Sequence, residues 1–136
     1  MNIIIDTNIF ISALVKDSLT RDLIINLKHN LLFPEFEFEE IEKHKQEILK
    51  KSGLSEKELD ILILRLMNYV RIVPAHISAQ HKAKAHSIMA KIDPDDIIFV
   101  ATALAFNAVI WSDDKHFKKQ KIIRVLTTKD MIKMCG

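Results

Sequence analysis

The chain has 136 residues, 49% of them hydrophobic and 28% charged, with a formal charge of +2 and a single cysteine. Those values fit one globular domain with a real core and argue against wholesale disorder. Two glycines, Gly53 and Gly136, are too few for a P-loop or a GxGxxG fingerprint, since both need backbone without a β-carbon close to a phosphate. Cys135 has no partner for an internal disulfide, and the small positive charge does not by itself establish a polyanionic partner.

The chain opens on IIIDTNIF, residues 3 to 10. Ile3, Ile4 and Ile5 predict a strand buried on both faces, and Asp6 stands at its carboxyl end, directly before the helical spacing of Ile9, Phe10, Ile11, Ala13 and Leu14. Asp6 also cuts the apolar run before it could serve as a signal-peptide core, and the apolar stretch from Ile97 to Trp111 is shorter than a bilayer span. A soluble cytoplasmic protein with no membrane association is expected.

Ser18 or Thr20 caps a second predicted helix carrying Leu19, Leu23, Ile24 and Leu27. Leu31 to Phe33 form a strand stopped by Pro34, and a charged helix then runs from about Glu35 to the break at Lys51, Ser52 and Gly53. Ser55 with Glu58 makes a capping box for a helix with Leu59, Leu62, Ile63 and Leu66. The result is a helical hairpin around residues 35–69, inserted in a single domain spanning 1–136.

Val70, Ile72 and Val73 predict a third strand, ended by Pro74, and Ile77 to Lys91 a helix. Asp93, Pro94, Asp95 and Asp96 open a strongly apolar helix through Ala105, which Asn107 turns into a fourth strand, Ala108 to Trp111. Ile122 to Leu126 form a fifth, and Thr127 or Thr128 caps a closing helix with Met131, Ile132 and Met134. Strands alternating with helices predict an α/β fold: a mostly parallel sheet of four to five strands with helices on both faces.

In a parallel sheet every strand delivers its next residue to the same edge. Asp6 follows the first strand, Asp113 and Asp114 follow the fourth after Ser112, Asp96 begins the helix feeding the fourth, and Glu39 or Glu40 lies early in the helix after the second. Capping explains Asp6, Asp93 and Asp96 singly, and a turn explains Asp113 and Asp114. Their predicted convergence at one edge calls for more. Crowded carboxylates are relieved by protonation or by a cation. Hard oxygen ligands suit Mg²⁺ or Mn²⁺, and no Cys or His spacing suggests zinc. A metal held this way supports hydrolysis of a phosphodiester. Basic clusters at Lys43 to Lys45, Lys50 and Lys51, His81 to His86 and Lys115 to Lys121 suit either phosphate contacts or solvated helix faces.

Four segments, IIIDTNIFISAL, EEIEKHK, DPDDIIFVATALAFNA and WSDDKHF, in this order and spacing, resemble the PIN domains over essentially the whole chain. The resemblance implies a three-layer α/β/α fold and a ribonuclease dependent on Mg²⁺ or Mn²⁺, including the toxins of VapC-type toxin and antitoxin pairs. Carried over, the metal-binding and catalytic acids are Asp6, Glu40, Asp96 and Asp114. Thr7 and Asn8 complete the first motif, Asp93 is auxiliary, and Asp113 is an alternative to Asp114. Asn8 and Ser112 would position the acids through hydrogen bonds. The resemblance also implies an RNA substrate, an antitoxin protein as partner and a homodimer. The alternative is a catalytically silent module that binds nucleic acid. DxD phosphatases are disfavoured because Asn8 takes the second acidic position, and receiver domains because Pro74 follows Val73.

Overall fold

The computed structural model describes residues 1–15 and 18–135. β1 (Asn2–Ile5) lies at the centre of a five-stranded sheet with the order β3-β2-β1-β4-β5. β2 is Asn30–Pro34, β3 Val70–Val73, β4 Val109–Trp111 and β5 Val125–Leu126. Every pairing is parallel, with Ile4 opposite Leu32 on one side and Ile110 on the other. Ile3, Ile4 and Ile5 are completely buried. A central strand of an all-parallel sheet has no face toward water, which is why its sequence does not alternate.

The helices fall into two groups. α8 (Ile97–Phe106) packs on β1, β2 and β4, with α6 (Ala75–Ala79) and α7 (Lys82–Met89) against it. A buried hydroxyl pair 2.8 Å apart, Ser78 with Thr102, joins α6 to α8. α1 (Thr7–Ser12) contacts α2 (Leu19–Asn26) and α3 (Phe38–Lys43), and α9 (Thr128–Cys135) contacts α2 and β5. The architecture is three-layer α/β/α, as the alternation of elements predicts.

The strands are added outward from β1 to β3 on one side, and the chain then returns to add β4 and β5 on the other, so the order of strands switches between β1 and β4. That switch point opens a crevice at the carboxyl edge, where α/β folds gather ligands. Two aromatic clusters hold its walls. Phe10 of α1 stacks on Phe33 of β2 with centroids 4.7 Å apart, and Phe38 at the start of α3 sits edge-on to both. Phe99 of α8 meets Phe117, in the 3₁₀ turn Lys115–Lys119, edge to face at 6.1 Å. The first cluster ties the Asp6 segment to the glutamates of α3. The second ties the Asp96 segment to that of Asp114.

Three predicted elements differ from those observed. The charged helix from Glu35 is a 3₁₀ turn (Glu35–Glu37), then α3, then α4 (Lys45–Ser52), with the break at His44. Beyond it Lys45 pairs with Glu56 at 3.0 Å and Asp60 at 3.6 Å on α5 (Glu56–Leu66). Gly53, with φ of 70°, ends α4 in the left-handed conformation that favours glycine. The predicted helix from Ile77 begins earlier, after Pro74, and is interrupted at Gln80 and His81, where no glycine or proline marks the break.

The fifth strand is only Val125–Leu126, because Gln120 claims the backbone before it. Its buried amide donates to the Phe117 and Ile123 carbonyls and accepts from the Ile122 and Ile123 N–H groups at 2.7–3.0 Å. Those N–H groups cannot then join a ladder. Replacing Gln120 by Ala leaves several of these groups without partners, so a loss of about 2–3 kcal/mol in urea unfolding is expected. A loss below about 0.5 kcal/mol would mean water satisfies the loop unaided.

Candidate metal centre

Asp6 enters the crevice because β1 ends there: its N–H continues the ladder to the Trp111 carbonyl at 3.2 Å. Its Oδ1 accepts from the Ile9 N–H at 2.8 Å, so it does cap α1. The second oxygen, Oδ2, accepts from the buried Ser112 hydroxyl. Capping and site-building therefore use the same carboxylate. Burial pushes the Asp6 carboxyl up to about 6 against the pull of the Ser112 and Ile9 hydrogen bonds, with a further push from Asp114 and Asp113.

Asp96 ends the 3₁₀ turn Pro94–Asp96 and heads α8. It is buried, and its Oδ2 has no hydrogen-bond partner among the described residues. Burial first, then the charges of Asp93, Asp114, Asp6 and Asp95, raise it to about 7. Asp114 faces the same space, fixed by its N–H donating to the Ser112 hydroxyl oxygen at 3.0 Å. Ser112 thus links two acids from neighbouring strand ends.

These side chains line a cavity of about 450 Å³ together with Thr7, Asn8, Glu37, Glu40, Lys43, His44, Asp95 and Phe99. Glu40 sits at the mouth, paired with Lys43 at 3.0 Å. Asn8 lines the wall and makes no side-chain hydrogen bond among the described residues, whereas the Thr7 hydroxyl donates to Glu37 at 2.8 Å. Glu37, half buried, is raised above the usual carboxylate range by burial and by the charges of Glu40 and Asp95. Nothing in the run of glutamates singles out Glu37. Its 3₁₀ turn puts it opposite Thr7, a neighbour 30 residues away.

Asp113 points elsewhere. Its oxygens accept from the Thr128 N–H and hydroxyl, each at 2.7 Å, and Trp111 Nε1 donates to the same hydroxyl at 3.0 Å. It anchors the start of α9 and is absent from the cavity wall. Asp93 accepts from the Asp95 N–H and lies 3.1 Å from His116 Nδ1, a histidine that sequence spacing does not connect to it.

The donor set suits a hard divalent cation: the buried carboxylates of Asp6 and Asp96, both raised by burial and by neighbouring acids, with one Asp96 oxygen lacking a partner among the described residues. Asp6, Glu40, Asp96 and Asp114 all line this cavity, together with Glu37 and Asp95.

No curated protein matches the chain in sequence. Among solved structures it is similar to VapBC2 from Rickettsia felis bound to a DNA fragment from its promoter, with a TM-score of 0.69 at 15% identity, covering 93% of this chain and 98% of that one. It is similar to VapBC-1 from nontypeable Haemophilus influenzae, with a TM-score of 0.66 at 19% identity, and to DNA-bound VapBC from Salmonella typhimurium, with 0.65 at 14%; coverage in both is again 93% and 98%. At such identities the likeness is one of fold. A family model for the PIN domain matches residues 4–132, so nearly the whole chain is accounted for and the protein belongs to the PIN domain family.

Proposed function

We propose that this chain is a metal-dependent ribonuclease that hydrolyses RNA phosphodiester bonds in the cavity at the β1/β4 switch point. The observation that carries this is the orphaned Asp96 Oδ2, buried in an acidic cavity with no hydrogen-bond donor among the described residues. Unpaired buried carboxylate oxygens are costly unless they are protonated or a cation meets them, and a cation is the relief that keeps the acids charged. Asp6, Asp96 and Asp114 would hold Mg²⁺ or Mn²⁺, with Glu40 at the mouth as a fourth ligand or as the group orienting a water. Such an ion, when bound, activates water and offsets the charge gathering on the phosphate.

The protein's own groups do the positioning. Ser112 fixes Asp6 and the Asp114 backbone, Thr7 fixes Glu37, and Asp93 stabilises the turn that presents Asp96. Lys43 and His44, which line the cavity, would meet a phosphate, and Asn8 lines the same space. Cleavage of the P–O3′ bond leaves one product with a 3′-hydroxyl and the other with a 5′-phosphate.

The VapBC likeness supports a toxin held by an antitoxin protein; a homodimer in the cytoplasm is part of the same proposal. Among the described residues no helix is long and apolar enough to cross a membrane. The helical segment around residues 35–69 belongs to the same single domain, and its first part lines the cavity through Glu40, Lys43 and His44.

The test is RNA cleavage by purified protein with Mg²⁺ or Mn²⁺, followed by chelation. Cleavage is expected to stop in EDTA and return with either ion. RNA binding that persists in EDTA, with no cleavage under any ion, would replace the enzyme with a silent binding module.

A further inference from the structure

Beside the acidic cavity, His116 of the 3₁₀ turn Lys115–Lys119 lies against two acids, one of which, Asp114, lines the cavity. Its Nδ1 lies 3.1 Å from Asp93 Oδ2 and 3.3 Å from Asp114 Oδ1. One ligand atom each from Asp93, Asp96 and His116 lie within 4.8 Å of one another. Asp96 supplies the independent sign of a missing ligand, since it is buried and its Oδ2 has no hydrogen-bond partner among the described residues.

We propose that Asp93, Asp96 and His116 form a cation position with one imidazole nitrogen and two carboxylate oxygens, which gives this chain a preference for Mn²⁺ over Mg²⁺. The inference rests on the metal-dependent reading above and adds a nitrogen donor to it. An imidazole nitrogen suits transition metals, while Mg²⁺ keeps to oxygen and water. A histidinium serving only as counter-ion explains the contacts to Asp93 and Asp114 but leaves the Asp96 oxygen unmet. A divalent ion has enough coordination positions to meet all three residues. The turn favours the arrangement: Asp114 Oδ1 accepts from the His116 N–H at 2.9 Å, and Phe117 is buried against Phe99, so the imidazole is held beside Asp93 and Asp114 while remaining half exposed.

The experiment uses the untagged protein with Mn²⁺ alone, read by pulsed electron paramagnetic resonance for nitrogen coupling and by titration for affinity. Wild type is expected to show nitrogen coupling to bound Mn²⁺. His116→Gln, with its fold checked by circular dichroism, should lose the coupling and bind Mn²⁺ about tenfold or more weaker, with Mg²⁺ affinity changed less than about twofold. His44→Gln should keep the coupling, which assigns it to one of the six histidines. Mn²⁺ bound without nitrogen coupling, or bound equally by His116→Gln, overturns this site and leaves the carboxylate centre standing. No Mn²⁺ binding at all overturns both.

Discussion

Replacing Asp96 by Asn is expected to lower RNA cleavage more than about 100-fold while making the metal-free protein more stable near neutral pH. The first effect follows from removing a proposed ligand, since even groups one layer beyond a metal's ligands are commonly worth about 10–100-fold. The second follows from linkage. The Asp96 carboxyl is raised from 3.8 to about 7 in the fold, chiefly by burial and then by Asp93, Asp114, Asp6 and Asp95. A raised carboxyl favours the protonated form of the native state. Its contribution is fully present below the unfolded value and is lost as pH rises through the folded one. Asp6, raised to about 6, acts in the same direction. The metal-free wild type should therefore lose stability between about pH 4 and pH 7.5, by roughly 2–4 kcal/mol from Asp96, since each tenfold difference in proton affinity between folded and unfolded chains is worth about 1.4 kcal/mol. Asn carries no charge, so the variant should show a shallower decline and melt several degrees higher at about pH 7.5. Mn²⁺ or Mg²⁺ should raise the wild-type melting temperature more than the variant's. A metal-free variant that melts at or below wild type at that pH would mean that Asp96 is stabilised as an anion by the protein alone.

Much of this arrangement is visible in the sequence, and the reason is topological. An all-parallel sheet sends each strand end to the same edge, so three-isoleucine β1 and the Val109–Trp111 strand place Asp6 and Asp114 together whatever lies between them. The capping box at Ser55 and the reciprocal bonds between Thr127 and Asp130 are equally local, since each partner lies within one turn. What periodicity cannot show is which exposed-looking polar residue meets a distant one. Glu37 is one of several glutamates until Thr7 approaches it, and His116 is one of a basic run until the turn brings it to Asp93. Gln120 is an ordinary polar residue in sequence, yet its amide takes up the N–H groups of Ile122 and Ile123 and keeps them out of the ladder. Each depends on a contact that only tertiary packing supplies.

The adjacent pair Asp113 and Asp114 gives the second large effect, because two neighbouring acids should fail in opposite ways. Asp114 faces the cavity, and its Oδ1 also accepts from the His116 N–H at 2.9 Å. Asp114→Asn keeps an acceptor for that N–H and so should keep the turn, while removing the charge beside Asp6 and Asp96. Cleavage should fall more than about 100-fold, with melting within about two degrees of wild type. Asp113 holds α9 through two 2.7 Å bonds to Thr128, whose hydroxyl in turn receives the buried Trp111 indole N–H. Asp113→Ala should cost about 1–2 kcal/mol, seen as a lower urea midpoint, with kcat/KM of the folded protein within about threefold of wild type. Loss of cleavage in a well-folded Asp113→Ala, together with an active Asp114→Asn, would exchange their roles and move the metal to the α9 side of the strand end.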